Sequence, residues 1–163
     1  MKKFLAMLLF AAGITGTTFA QDVKDEEFVN KKVVFEQAVY NLVVNDDVSI
    51  VFTDEAGMEI TIEGRASDVK KVTLAEQNGT LEISASASFL QKRKAVVYVP
   101  ARGLRSVTVN GASVIYSYDK IQNPHMNVFV NGDCQLRIKT YGKVKVINSD
   151  EYSFSYQSKK ISE

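Results

Sequence analysis

The sequence is poor in the residue types from which many enzyme and metal centres are built. Its 163 residues include one cysteine, one histidine, two prolines and no tryptophan. Because Cys134 has no partner, an internal disulfide is excluded and the fold must be stabilised by packing. A zinc site with several histidine or cysteine ligands is excluded by the same count. The lack of tryptophan also weakens the case for a carbohydrate-binding surface.

The two rare residues do not sit in a recognisable catalytic setting. Any Ser-His-Asp triad would need His125, which follows Asn123-Pro124 in what we interpret as a surface turn. No serine stands in a G-x-S-x-G motif. Cys134 follows Asp133, whose charge would disfavour a thiolate if the two groups are close. We interpret Cys134 as a small, half-buried residue on a strand and predict no catalytic, cofactor-binding or metal-binding residues.

The chain has no apolar run long enough for a membrane-spanning helix, which needs about 20 residues. Its first 20 residues instead resemble a secretory signal, with Lys2 and Lys3, an apolar run, and small residues before a cut after Ala20. There is no cysteine near the cut, which argues against a lipid anchor. We expect an exported protein in the periplasm, on the outer surface or in the medium, without a transmembrane segment in the mature chain.

The sequence also lacks an excess of either positive or negative charge. Loss of Lys2 and Lys3 with the signal would take the formal net charge from +1 to about −1. The longest basic cluster, Gln91-Lys92-Arg93-Lys94, is typical of a solvated strand entry. We therefore predict no nucleic-acid partner.

What the sequence has in abundance is alternation of apolar and polar residues, with many β-branched side chains, which predicts an all-β chain. We assign residues 1–20 to the signal, 21–32 to a flexible N-terminal segment, 33–157 to one domain and 158–163 to a tail. The predicted strands are 33–36, 40–44, 48–52, 58–63, 71–76, 80–85, 95–99, 106–109, 113–117, 127–130, 135–140, 143–147 and 152–156. A single helical turn over 66–70 is the one helical feature, with Ser67 or Asp68 as its cap.

Three Asn-Gly pairs divide into two kinds. Asn78-Gly79 has alternating arms on both sides, which predicts a hairpin with a type I′ turn. Asn110-Gly111 and Asn131-Gly132 each follow a V-x-V stretch and precede another strand, at a spacing of roughly 20 residues. Val144-x-Val146 before Ile147-Asn148-Ser149 looks like a third copy.

These repeats fit either short hairpins or the corners of a stacked β-coil. In a coil each glycine lets the next turn of chain stack closely, and Asn110 lies over Asn131 so that their amides could form a ladder. We favour the coil.

The acidic clusters are the remaining candidates for chemistry, because two carboxylates suffice for glycoside hydrolysis. All lie in turns or a tail, where aspartate is favoured by its own hydrogen bonding, so ordinary turn chemistry is the simpler interpretation. A weak calcium site from Asp46, Asp47 and Asp54 is the alternative, although the spacing matches no calcium loop. The clusters are Asp25-Glu26-Glu27, Asp46-Asp47, Asp54-Glu55 and Asp150-Glu151.

Aromatic residues are dense near the C-terminus, where Tyr152, Phe154 and Tyr156 share a face of a regular strand. They would either cap the open end of a β-core or contact a ligand, and we favour the cap. We predict that a set of polar side chains on the strands is exposed to solvent: Thr108, Ser113, Ser117, Gln135, Arg137, Lys139, Lys143 and Lys145.

Two stretches carry a family resemblance: Val97-Tyr98-Val99-Pro100 followed by Leu104, and then Val107-Thr108-Val109-Asn110-Gly111-Ala112-Ser113. This sequence pattern resembles that of the head, or GIN, domain of the putative auto-transporter adhesins, a family of unknown function in exported proteins of Gram-negative bacteria. The similarity covers about residues 33–156. It departs from the pattern at Asn110 and Asn131, which replace a small residue, and in the third turn, which lacks glycine.

The resemblance implies a single-stranded, right-handed β-helix-like solenoid, here with a hairpin-containing N-terminal half. It implies a non-enzymatic, adhesin-like or structural module, without a cofactor, whose partner is a protein or glycan of the cell envelope or surface. A carbohydrate-active β-helix protein that acts on or binds polysaccharide is the alternative. An accessory protein that binds a partner through an exposed β edge is a third reading.

Overall fold

The computed structural model describes residues 27–45, 47–86 and 95–148, together with the backbone of 154–158. Across these ranges the chain forms thirteen strands and one short helix, which confirms the predicted all-β class. The strands are β1 (Phe28–Val34), β2 (Asn41–Asn45), β3 (Ser49–Thr53), β4 (Glu59–Arg65), β5 (Val72–Gln77), β6 (Thr80–Ala85), β7 (Val96–Pro100), β8 (Ser106–Val109), β9 (Ser113–Ser117), β10 (His125–Val130), β11 (Cys134–Ile138), β12 (Lys143–Asn148) and β13 (Phe154–Ser158). The helix α1 is Ala66–Val69.

The strands form two open, mixed sheets. Sheet A has the order β1-β4-β7-β3-β9-β11-β13, and sheet B has the order β12-β10-β8-β2-β6-β5. Pairing is parallel from β7 to β13 and from β12 to β6. Antiparallel pairs lie at one end of each sheet, where β4 pairs with β1 and β7, and β5 pairs with β6.

The inner faces of the two sheets share one apolar core. Alternate residues of each strand are buried there, as strand geometry requires when one face meets the core and the other meets solvent. Leu42, Ile50, Leu81, Ile115 and Leu136 are completely inaccessible to solvent. Each such side chain contributes about 1.5 to 3 kcal/mol relative to an exposed one.

Along the chain, strands alternate between the sheets. Each of β2, β6, β8, β10 and β12 lies in sheet B, and the next strand in sequence lies in sheet A. Because β8 pairs with β2 and β10, and not with β9, the hairpin alternative at Asn110-Gly111 is wrong. The same holds at Asn131-Gly132, since β10 and β11 lie in different sheets. Both pairs are corners at which the chain passes from sheet B to sheet A.

Register corrects our alignment of the third repeat. Val128 pairs with Val107, as aligned, but its partner on β12 is Val146 and not Val144. The alignment was two residues out because it matched the V-x-V patterns of the two strands. In the structure it is Met126, two residues before Val128, that stands opposite Val144. A two-residue shift keeps the same face inward, so sequence alternation alone cannot detect it.

The predicted asparagine ladder is confirmed and is longer than expected. The Asn131 amide donates to Asn110 Oδ1 over 3.0 Å, and the Asn110 amide donates to Asn45 Oδ1 over 2.9 Å. Asn45 in turn donates to Glu82 Oε1 over 2.5 Å. Because an asparagine amide can both donate and accept, the row links four parallel strands of sheet B. It crosses the outer face of the sheet near one end of these strands.

The glycine at the second corner has the role predicted for it. A Cβ added to Gly132 would lie 2.7 Å from the carbonyl oxygen of Gly111 and 2.9 Å from its nitrogen. Only a residue without a side chain allows two successive corners to approach this closely.

The N-terminal half contains the predicted hairpin. Strands β5 and β6 pair with Gln77 opposite Thr80, and both Asn78 and Gly79 have positive φ, as a type I′ turn requires. Two details were wrong. Strand β1 begins at Phe28, so part of the segment assigned as flexible pairs with β4. Helix α1 has Arg65 at its N-cap and no side-chain cap from Ser67 or Asp68.

Several sequence assignments lie outside the described residues: the signal at 1–20, most of Asp25-Glu26-Glu27, Asp46, the cluster Gln91-Lys92-Arg93-Lys94, Asp150-Glu151, Tyr152 and the tail beyond Ser158. Within the part of the chain that the structure does describe, no helix has the length and apolar character to cross a membrane.

Candidate binding surface

The outer face of sheet A carries three tyrosines close together. Tyr98 on β7 and Tyr116 on β9 flank Val51 of β3 in register, so the three residues form one row across adjacent parallel strands. Tyr118, just after β9, packs edge-on against Tyr116 with ring centroids 5.1 Å apart. We call Tyr98, Tyr116 and Tyr118 the tyrosine face.

Val51 shows how tightly this face is packed. Its neighbours Ile50 and Phe52 belong to the core, so strand alternation turns Val51 outward. It is nevertheless only 1% exposed and is not part of the core cluster. Its shielding therefore comes from side chains on the outer face, where Tyr98 and Tyr116 are its neighbours. The rings of Tyr98 and Tyr116 therefore pack over an apolar side chain on the outer face of the sheet.

The tyrosine hydroxyls are linked to one another. The Tyr116 and Tyr118 oxygens are 3.2 Å apart. Burial, together with the hydrogen bond to Tyr118, raises the pKa of Tyr116 to about 12. Burial also raises the pKa of Tyr98, and a hydrogen bond with Glu63 adds to the effect. The hydroxyls of Tyr98 and Tyr116 thus stay protonated at physiological pH and present donors and acceptors beside flat ring surfaces.

The edges of the tyrosine face are polar. On β11, Gln135 and Arg137 are exposed, and Arg137 stands opposite Tyr116 in register. On the other side, Tyr98 stands opposite Thr61 of β4. Tyr118 itself is 60% exposed and projects furthest into solvent. A central aromatic cluster with a polar rim is the anatomy of many recognition surfaces.

This surface was missed in the sequence because the outward face of β9 was assigned the wrong way round. We predicted exposed Ser113 and Ser117, but both are buried beside Ile115. The reason is that Ser117 Oγ accepts a hydrogen bond from the Lys139 backbone N–H over 2.9 Å, so a polar residue serves the inside. The alternation of Tyr116 with Tyr118 was the available signal. The predicted exposure of Gln135, Arg137, Lys139, Lys143 and Lys145 is confirmed, while Thr108 is half-buried.

Asp54, one of the acids predicted to lie in turns, links corners of the fold. Asp54 follows β3 and accepts hydrogen bonds from the Arg102 guanidinium, over 2.9 Å, and from the Gln122 backbone N–H, over 2.6 Å. These two bonds hold the pKa of Asp54 below its usual value. Because β3 lies between β7 and β9, Asp54 links the corners that follow all three strands. No cluster of three or more potential metal ligands occurs among the described residues, so Asp47 and Asp54 are not joined in one.

The histidine and the cysteine are structurally placed. His125 is exposed at the first residue of β10, not in a turn, and its backbone N–H donates to Asn123 Oδ1 over 3.0 Å. Cys134 is on a strand, as predicted, but it is buried and not half-buried. Burial raises the pKa of Cys134 to about 11, so desolvation, and not the neighbouring Asp133, disfavours the thiolate.

We expect Cys134 to be inert in the native protein and reactive after unfolding. At pH 8, Ellman's reagent should label less than a few per cent of native chains but all chains in guanidinium chloride. Since the folded pKa is raised from 9.0 to about 11, the unfolded state ionises first, and the free energy of unfolding should fall between those pH values. In Cys134→Ala this part of the alkaline loss should vanish; rapid native labelling would contradict the burial.

The C-terminal strand continues sheet A. Strand β13 pairs in parallel with β11, with Cys134 opposite Phe154 and Leu136 opposite Tyr156. Its backbone therefore extends the sheet beyond β11, as the predicted cap requires.

Two mixed sheets with a shared core, one polar ladder across sheet B and an aromatic outer face on sheet A define an all-β scaffold. Residues 40–156 match the family described as putative auto-transporter adhesin, head GIN domain. The chain belongs to this family, as the resemblance in its sequence predicted. No curated protein matches it significantly.

Solved structures show the same fold. A putative adhesin from Bacteroides fragilis NCTC 9343 aligns with a TM-score of 0.53 at 12% identity, over 76% of this chain and 62% of its own. A putative adhesin from Parabacteroides merdae ATCC 43184 aligns with a TM-score of 0.56 at 14% identity, over 78% of this chain and 55% of its own. The chain thus spans less than two thirds of the length of these relatives.

Proposed function

We propose that the protein is an exported, non-enzymatic binding module that engages an envelope or surface partner through the tyrosine face. The observation that carries this proposal is the row Tyr98, Val51 and Tyr116 with Tyr118 beside it, a packed aromatic surface on rigid parallel strands. Tyrosine and arginine are the residues most enriched in binding hot spots, and Arg137 stands next to this row.

The scaffold that carries the face is proposed to be a single-stranded β-solenoid over residues 33–157. Support comes from the alternation of strands between the sheets and from the asparagine ladder that links neighbouring strands of sheet B. The right-handed twist of the coil rests on the family resemblance. A solenoid of this kind presents side chains in fixed rows, which suits an extended partner surface.

Export is proposed from the signal-like residues 1–20 and from the family to which the chain belongs. The periplasm, the outer surface and the medium all fit this proposal. The non-enzymatic part is supported by what the described acids do, since Asp54 is held by Arg102 and Gln122 and Glu59 is paired with Lys32.

Truncation of the most exposed tyrosine tests the proposal. Tyr118→Ala should weaken binding of the mature protein to an immobilised envelope fraction by about 2 kcal/mol, roughly 30-fold, as expected for a hot-spot tyrosine. Tyr141→Ala is the control for the loss of an exposed tyrosine, because Tyr141 is 68% exposed and its ring contacts the Lys120 ammonium and not the Tyr116–Tyr118 ring pair. Biolayer interferometry would measure both. Equal binding by the two variants would refute the tyrosine face as the contact.

A polysaccharide partner is the second candidate, favoured by hydroxyl groups that lie beside ring faces. Sugar rings stack on aromatic faces while their hydroxyls exchange hydrogen bonds with tyrosine hydroxyls. Treatment of the envelope fraction with periodate destroys vicinal diols in sugars, and treatment with protease destroys proteins. If periodate removes the Tyr118-dependent signal and protease does not, the partner is a glycan; the reverse result assigns it to a protein.

A further inference from the structure

A cavity of about 470 Å³ opens where β4 and β7 of sheet A meet the loops that precede β2 and β4 and follow β7. Its floor is formed by Ile60 and Val99, which belong to the core, and its walls by Phe35, Val39 and Pro100. Met58 stands at the mouth and is 40% exposed. The volume is within the range of small-molecule sites, and the lining is mainly apolar, as such sites usually are.

The walls of this cavity are held by backbone hydrogen bonds. Phe35 N–H donates to the Met58 carbonyl over 2.9 Å, which ties one wall to the mouth. The Tyr40 carbonyl accepts from Arg105 N–H over 2.7 Å, and the Arg105 guanidinium lies 4.7 Å from the centroid of the Tyr40 ring. Tyr40 is therefore fixed as a wall, and a ligand would enter a pocket that is already formed.

Two guanidinium groups lie beside this apolar cavity. Arg102 lines it, and its hydrogen bonds to Asp54 use Nε and Nη2, so the N–H groups of Nη1 remain for a ligand. Arg105 adds a second guanidinium behind Tyr40. Because Arg102 is paired with Asp54, the two side chains together have no net charge. An anion at the mouth would therefore be held by hydrogen bonds from Nη1.

We propose that this cavity binds the acyl chain of an anionic amphiphile, with the chain against Ile60 and Val99 and the head group at Arg102. The apolar floor removes the chain from water, which is favourable in proportion to the area buried. A guanidinium that keeps free N–H groups beside an apolar site is suited to a carboxylate or phosphate. The proposal is independent of the tyrosine face, which lies on the outer surface of sheet A.

Isothermal titration of the mature protein with dodecanoate, below its micelle concentration, tests this proposal. We expect saturable binding of one molecule per chain. Met58→Glu should weaken it at least about tenfold, because a carboxylate at the mouth repels the head and wets the entrance. Ile147→Glu is the matched control. Ile147 has the same 40% exposure as Met58, but it lies on β12 of sheet B, whereas Met58 directly precedes β4 of sheet A. It should bind as the wild type does.

A second pair of measurements tests the head group. Arg102→Gln should weaken dodecanoate binding and leave dodecanol binding unchanged. Because Arg102 also holds Asp54, Ala38→Trp, which fills the mouth without touching that pair, should abolish binding of both ligands. Absence of saturable dodecanoate binding, equal loss in Ile147→Glu, or equal affinity of the wild type for dodecanol would each overturn the proposal.

Vesicles identify the source of the amphiphile. If the wild type cosediments with phosphatidylglycerol vesicles, and Met58→Glu does not, the cavity takes a phospholipid chain. If dodecanoate binds but these vesicles do not, the ligand is a free fatty acid. Cosedimentation that survives in Met58→Glu, without dodecanoate binding, would be surface adsorption and would count against the cavity.

Discussion

Gly142→Ala should be among the most destabilising single-methyl additions in this chain. The new Cβ would overlap the carbonyl oxygen of Asn123 and would lie 2.6 Å from the carbonyl oxygen of Pro124. Both atoms belong to backbone, which cannot rotate away as a flexible side chain can. Overpacking of this kind costs about 3 kcal/mol or more, and we expect the melting temperature to fall by about 10 °C.

The reason for the contact is that Gly142 stands where two successive corners stack. Tyr141 N–H donates to the Ile121 carbonyl over 3.1 Å, and Lys143 N–H donates to the Pro124 carbonyl, also over 3.1 Å. These bonds bracket Gly142 and prevent the corner from shifting outward unless they break. The methyl group therefore forces a choice between a steric clash and the loss of hydrogen bonds.

Gly103→Ala is the control for this substitution. The nearest atom to a Cβ at Gly103 is the Val39 carbonyl oxygen at 3.8 Å, an ordinary van der Waals distance. Its stability should change by no more than about 0.5 kcal/mol, as is usual for surface positions. Denaturant unfolding followed by circular dichroism measures both variants. Similar unfolding midpoints for Gly142→Ala and Gly103→Ala would contradict the stacked corners.

The strands of this protein could be predicted from sequence because alternation and turn residues are local signals. The hairpin at Asn78-Gly79 was correct for this reason, since its arms and turn lie within a few residues. The ladder from Asn131 to Asn110 was also predictable, because recurrence of the same dipeptide placed equivalent residues at the ends of neighbouring strands. Asn45 was missed in the same ladder because the order of strands inserts β2 between β6 and β8.

The candidate binding surface could not be predicted because it depends on which face of β9 is turned inward. The polar character of Ser113 and Ser117 favoured their exposure, whereas the structure buries both. Small residues fit close to a corner, and the hydrogen bond from Lys139 satisfies Ser117 inside. The cavity has the same origin, since Phe35, Met58 and Gly103 are brought together by pairing between distant strands.

Polar side chains that link successive corners recur across the fold. Asp54 links three corners on one side, and Thr140 Oγ1 both donates to the Ile121 carbonyl and accepts from Gly142 N–H. Corners have backbone groups that no sheet partner satisfies, so each needs such a residue. The most deeply buried of these links is Asn123.

Asn123→Ala should destabilise the protein by about 3 kcal/mol, the second of the two largest effects that we predict. Asn123 is 3% exposed, and its amide nitrogen donates to the carbonyl oxygens of Ala101 and Leu104, each over 2.7 Å. Its Oδ1 accepts from the His125 N–H. Truncation leaves the two buried carbonyls and the His125 N–H without this partner. Chemical denaturation should show a lower midpoint with an unchanged slope.

Asn123→Asp separates the hydrogen bonds from the loss of volume. The shape is kept, but an ionised carboxylate would face two carbonyl oxygens and could donate to neither, so its pKa in the folded state should rise above the unfolded value of about 3.9. A raised folded pKa means that stability is greatest below the unfolded pKa and is lost as pH rises through the folded one. We therefore expect Asn123→Asp to be less stable than Asn123→Ala at pH 8 and to regain part of the difference at pH 4, relative to the wild type at each pH. If the stability of Asn123→Asp relative to the wild type did not change with pH, the amide of Asn123 would not be the donor to the two carbonyls.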